Sequence, residues 1–349
     1  MKKVIAILIS CISIGLICGS CANQKNQYYE KSNIVMDTAV TLSASGANSK
    51  EAVEESLKKL DEINEMASTN IDTSDVYKIN SASGKNYVKV SPEILKMIET
   101  SIKYSKLSDG AWDITLGPII NLWGIGTDNE RLPSDEEIKA KLPLVGYDKI
   151  SIDENNSSVM LQKEGMAIDL GGIAKGFAAD EVLKIYKKYN IENGLINLGS
   201  SSIYAVGKNK DNKQWSVGIK HPRSEEPNAY MGIIKLSNES LSTSGDYERY
   251  FMENNKRYHH IIDPKTGYPA DNGVMSDTIV IDSDNEDNNM LCDLLTTTVF
   301  VLGQEKGLKL IDSLPGVSCE ITTSDYKVYT SEGFKDRITN LNKDFEFAN

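Results

Sequence analysis

The sequence predicts an α+β fold. Three observations carry this: amphipathic helical stripes alternate with short β-branched segments, an apolar segment runs into a diglycine turn and a helix, and four short strand-like segments precede a last long helix. Residues 33–43 alternate with β-branched side chains and predict a strand. Ser49 to Ala67 sets Val53, Leu57, Leu60 and Ile63 on one stripe, an amphipathic helix. Ser91-Pro92-Glu93 starts another, because serine caps free N–H groups and proline pre-sets the first turn. Ile94, Leu95, Ile98 and Ile102 give that helix a buried face until Asp109-Gly110 stops it. Ser134 to Glu137 is a capping box. Lys149 to Asp153 and Ser158 to Lys163 flank a polar turn and read as a hairpin. Met166 to Leu170 predicts a strand, Gly171-Gly172 a turn, Ala174 to Tyr189 a helix and Leu195 to Leu198 an extended segment. This order sets the glycines at a strand's C-terminal end, where ligands bind in open sheets. Trp215–Lys220, Met231–Leu236, Arg249–Met252 and Arg257–Ile262 predict antiparallel strands. A helix over 287–302 ends at Gly303.

Met1-Lys2-Lys3, an apolar run over 4–17 and Gly19-Ser20-Cys21 match a lipoprotein signal peptide over 1–20, with Cys21 as the lipidated N-terminus. An ordinary signal peptide cut nearby is the alternative. Residues 21–32 are expected to be a flexible tether and 33–349 one domain, since no repeat or long linker divides them. The expected location is outside the cytoplasm, anchored by lipid to the outer face of the cytoplasmic membrane or the periplasmic face of the outer membrane. Of the five cysteines, processing leaves those at 21, 292 and 319, so no disulfide framework is expected. A net charge of -12 spread along the chain argues against nucleic acid and against a basic membrane-binding face. An anionic substrate would need a cation beside it.

Glycines let a bulky anion approach the main chain, and the next helix presents free N–H groups with Lys175 beside them. A tight turn with a solvated lysine is the plainer reading. Asp293 and Thr297 are four residues apart on one helix, about 40° apart around its axis, so two hard oxygen donors share a face suited to Mg²⁺. The competing reading is a surface aspartate and a threonine bonded to its preceding turn. His259 and His260 are adjacent in a strand and point to opposite faces, which argues against a shared zinc. One of them is a candidate acid, base or hydrogen-bond donor; a histidine satisfied by backbone partners is the equal alternative. Asp113 in Asp113 to Gly124 is a candidate reader of a heterocycle edge.

In order, Met36-Asp37-Thr38, Asp113 to Gly124, Asp169 to Asp180, Ile196 to Gly199, Ser244 to Arg249, His260 to Gly267 and Asp293 to Thr297 resemble the ApbE family of FAD:protein FMN transferases. The resemblance implies ApbE-type, T-fold-like mixed sheets with helices packed around a FAD cleft. It implies Mg²⁺, with Mn²⁺ as a substitute, and transfer of FMN from FAD to a threonine or serine hydroxyl of another flavoprotein, with AMP released. By resemblance Asp293, Thr297 and the Gly172 carbonyl are metal ligands. Met36, Ala111, Trp112, Asp113, Asp169, Lys175, His260 and Ile261 are FAD contacts, and His260 and Asp293 are catalytic. The implied acceptor is a cell-envelope flavoprotein, an Rnf/Nqr-type subunit or similar, with the membrane engaged through the lipid alone. A Mg²⁺-dependent FAD pyrophosphatase and a non-catalytic flavin-binding lipoprotein are the competing functions. Two positions depart from the family: Ser68-Thr69-Asn70-Ile71 lacks the frequent aromatic residue, and Ser200 stands where a second glycine is common.

Overall fold

The computed structural model describes residues 27–282 and 287–348. The expected signal peptide, Cys21 and the first part of the tether lie outside the described residues. In chain order the elements are β1 (Tyr28–Val35), β2 (Thr38–Ser45), α1 (Ser49–Ala67), α2 (Asp75–Ser81), β3 (Val88–Lys89), α3 (Pro92–Leu107), α4 (Gly117–Trp123) and α5 (Asp135–Lys141). Next come β4 (Ile150–Asp153), β5 (Ser158–Leu161), α6 (Ala174–Lys188), β6 (Asn193–Leu198), β7 (Ser202–Val206), β8 (Trp215–Lys220), β9 (Tyr230–Leu236) and β10 (Glu239–Gly245). The chain closes with β11 (Tyr250–Glu253), β12 (Lys256–His259), β13 (Val274–Ile281), α7 (Asn288–Asp312), β14 (Val317–Thr323), β15 (Lys327–Thr330), β16 (Ile338–Thr339) and β17 (Glu346–Phe347).

A nine-stranded sheet in the order β1-β2-β6-β7-β10-β13-β14-β15-β17 forms the spine. Its ladders are antiparallel except for β15 with β17. Alternation along a strand sends neighbouring side chains to opposite faces. Ile279 and Ile281 of β13 accordingly join the core that holds α1, α6 and α7. Val280 joins the second core, built with the small sheet β16-β9-β8. The helices form where their stripes and caps predict: α1 buries Val53, Leu57, Leu60 and Ile63. Ser91 Oγ accepts the Ile94 N–H, and Ser134 and Glu137 complete the capping box of α5.

Several expectations are corrected. Residues 33–43 are not one strand, because Met36 and Asp37 both take positive φ, 55° and 54°, and fold the segment into the β1–β2 hairpin. Tyr28 to Ser32 are not tether: they pair with Thr41 to Ser45. Met166 to Leu170 is not a strand. Its backbone groups are met elsewhere, since the Asn80 side chain holds both the Ile168 N–H (2.7 Å) and carbonyl (3.0 Å), and the Asp169 N–H donates to Ile114 (2.8 Å). Nor does the open-sheet rule place the glycine turn, because β6 after α6 runs antiparallel to both its neighbours. Gly303, at φ 77° and ψ 175°, breaks the last helix but does not end it; helix resumes to Asp312.

Candidate active site

A cleft of about 460 Å³ opens where the β1–β2 turn, the diglycine turn, the end of β10, the segment after β12 and α7 meet. All eleven site residues expected from the sequence line it. Asp293 and Thr297 reach it from α7 because that helix is buried on both sides, with Leu294, Leu295 and Val299 fully enclosed. Gly176 lets α6 lie against it: a Cβ there would sit 2.2 Å from the Asn289 carbonyl. Buried Asp180 ties the two helices together by accepting the Asn289 and Met290 N–H groups at the start of α7. Burial pushes its carboxyl up to about 7.

Asp293 is 5% exposed and held from three directions. The Gly176 N–H donates to Oδ2 (3.0 Å), the Ser202 hydroxyl donates to Oδ1 (2.9 Å), and Lys175 Nζ lies 3.5 Å from Oδ1. Lys175 also donates to the Gly171 carbonyl (3.2 Å), so its charge sits between the diglycine turn and α7. The threonines around Thr297 show what distinguishes it. Thr296 donates to the Asp293 carbonyl and Thr298 to the Leu294 carbonyl, the usual fold-back onto a helix. The Thr297 hydroxyl has no hydrogen-bond partner among the described residues, and the place a Gly172 Cβ would take is 3.5 Å from it. That same Cβ would lie 2.9 Å from the Trp112 ring, so a larger residue there would push the indole aside. Asp169 shapes the turn by accepting the Gly171 N–H (2.7 Å).

The remaining walls are of two kinds. Ala111, Trp112 and Ile261 are buried and supply apolar surface, with the Trp112 indole nitrogen lacking a partner among the described residues. Asp113 is occupied within its own loop, accepting from the Thr115 N–H (2.8 Å), the Thr115 hydroxyl (2.6 Å) and the Tyr147 N–H (2.8 Å). Burial raises its carboxyl above the ordinary range. Met36 lies half-buried in the positive-φ turn. Ser200 takes φ 61°, the conformation a glycine adopts without strain, steadied by the Asn197 side chain accepting its N–H (2.8 Å).

The two adjacent histidines do face opposite ways. His259 is buried and satisfied by the Ala270 carbonyl and the Ile261 N–H. His260 faces the cleft; the Arg249 carbonyl lies 3.3 Å from its Nδ1, so the neutral ring donates there and keeps the lone pair on Nε2. The surrounding walls, then the charge of Arg249, push its imidazole down to about 3, so it is neutral near pH 7. Among the described residues no cluster of three His, Cys, Asp or Glu side chains could hold a metal. The cleft instead offers one carboxylate and one hydroxyl beside the Gly172 main chain, hard oxygen donors that suit a cation keeping some waters. Sequence reasoning missed Ser202, which follows a turn and leaves no pattern of its own, and left Arg249 without a role.

A family model described as the ApbE family matches residues 36–321. The chain belongs to the ApbE family. The expected family, fold class and transferase enzyme class all hold. Its similarity extends to a Klebsiella pneumoniae FAD:protein FMN transferase, 35% identical over 78% of this chain and 82% of the relative. A Treponema pallidum protein of the same name is 31% identical over 96% and 95% of the two chains. Among solved structures, the Thermotoga maritima ApbE protein superposes with a TM-score of 0.80 at 33% identity, covering 90% of this chain and all of that one. The Vibrio cholerae flavin transferase ApbE gives 0.78 at 28% identity, over 89% and 99%.

Proposed function

We propose that this enzyme transfers FMN from FAD to a threonine or serine hydroxyl of a flavoprotein outside the cytoplasm and releases AMP, with Mg²⁺ as its ion and Mn²⁺ as a substitute. The observation that carries this reading is the convergence of the Asp293 carboxylate, the Thr297 hydroxyl, without a partner among the described residues, and the Gly172 main chain on one cleft wall. The names of the similar enzymes support the flavin and the protein acceptor. Asp293, Thr297 and the Gly172 carbonyl would hold the ion, whose chemistry is to offset charge developing on the transferred phosphate. Lys175 adds a positive charge at the same end, and the apolar wall of Ala111, Trp112 and Ile261 takes the ring system. His260 Nε2 is the available acceptor for the proton of the incoming hydroxyl. Positioning and charge account for the chemistry, with no covalent enzyme intermediate.

The N-terminal reading adds an exported enzyme lipidated at Cys21 and tethered to a membrane surface, with an Rnf/Nqr-type subunit or similar as acceptor. Hydrolysis of FAD is the second reading, favoured by the polar Ser68, Thr69 and Asn70 at the cleft wall, which leave water a path. Incubating the protein with FAD, Mg²⁺ and a flavin-acceptor domain should give an acceptor band with in-gel flavin fluorescence. A dark band with every divalent ion tried would refute the transfer. AMP and FMN release without acceptor measures the hydrolytic share.

A further inference from the structure

The chain contains five arginines, at 131, 223, 249, 257 and 337. Four are held by carboxylates: Arg131 by Glu137, Arg223 and Arg257 both by Asp246, and Arg337 by Glu239. Arg249 has no ion pair among the described residues, and it lines the cleft. Its sequence neighbour Glu248 lines the cleft too but is engaged with Lys220, 3.2 Å away. A guanidinium never gives up its proton and presents a planar fork matched to carboxylate and phosphate oxygens. Arg249 is exposed at the cleft rim, and a fork left unpaired there, in a chain of net charge -12 whose other arginines all hold carboxylates, points to an anion that arrives from outside.

The placement is specific. Arg249 immediately precedes β11, and its carbonyl accepts both the His260 N–H (3.1 Å) and the ring Nδ1 (3.3 Å). Its stem lies against the turn at Gly126, where a Cβ would sit 3.3 Å from the Arg249 Cδ. His260 and Arg249 line the same cleft, and their main-chain link holds the arginine beside the histidine. Lys175 approaches from the diglycine side.

We propose that Arg249 binds the diphosphate of the dinucleotide substrate, forking across its oxygens from beside His260 while Lys175 adds its charge from the diglycine turn. This rests on FAD being the substrate. The test is a fluorescence titration of the full-length protein with FAD and, separately, with riboflavin, which has the ring but no phosphate. Arg249→Gln should weaken FAD about tenfold or more and leave riboflavin unchanged, with Arg249→Lys between, because a point charge replaces part of the fork. Equal FAD affinity for Arg249→Gln and wild type would overturn the assignment. So would parallel losses for FAD and riboflavin, which would mark general damage. Failure of the wild-type protein to bind FAD would instead strike the flavin reading itself.

Discussion

Asp293 and Asp277 are both buried carboxylates within the same core, and they have opposite surroundings. Asp293 sits at the cleft edge with donors from Gly176, Ser202 and Lys175 aimed at it. Asp277, in β13, is 0% exposed with both oxygens partnerless among the described residues. Burial, then nearby Glu320, pushes the Asp277 carboxyl well above the ordinary range. Donors and an open side make a carboxylate available to a cation; enclosure alone makes a neutral acid. The first has the surroundings a ligand needs, and the second is a cost the sheet carries.

The comparison breaks most visibly if the two aspartates respond alike. Asp293→Asn should cut the rate of AMP release by on the order of 10³-fold at saturating Mg²⁺. Asp277→Asn, a neutral isostere of an already neutral acid, should stay within about threefold. Comparable losses from both would show that Asp293 acts through the fold. His260→Gln comes next: transfer should fall by about 10²-fold, while the FAD dissociation constant stays within about twofold. A loss of FAD binding equal to the loss of rate would remove His260 from proton transfer. A smaller effect sharpens the role of the donors. Ser202→Ala frees Asp293 Oδ1 from its hydroxyl and should weaken Mn²⁺, read by electron paramagnetic resonance, by about tenfold.

Glu320 supplies the mildest test, one of stability. It is fully buried across the ladder from Thr278, and burial raises its carboxyl to about 7. A carboxyl raised in the native state binds protons there that the unfolded chain has released. Its contribution is therefore fully present below about pH 4.5 and is lost as pH rises toward 7, by about 3 kcal/mol. Glu320→Gln should raise the melting temperature at pH 8 and change it little at pH 4. Parallel melting curves across that range would contradict the account.

What the sequence made legible follows from where its signals are local. The stripe of α1 and the caps of α3 and α5 are decided within a turn or two, and these helices lie where they were expected. The strand β13 was not legible. Ser276-Asp277-Thr278 interrupts both the alternation and the apolar run that mark strands, although all eight of its residues are buried between two cores. Met166 to Leu170 was misread for the converse reason: its apolar run signals burial, but a distant side chain, Asn80, takes the hydrogen bonds a ladder would have taken. At the site, Asp293 and Thr297 were readable as a pair because helical spacing relates them. Ser202 was not, because it approaches Asp293 from 91 residues away along the chain.

The central claim is that Asp293 and Thr297 hold a divalent ion against the substrate's diphosphate beside Gly172. Crystals soaked with Mn²⁺ and FAD, measured at the manganese absorption edge, test it most directly. The predicted result is an anomalous peak within bonding distance of the Asp293 carboxylate, the Thr297 hydroxyl and a phosphate oxygen. A peak elsewhere in the cleft, or bound FAD with its diphosphate far from these two side chains, would contradict it.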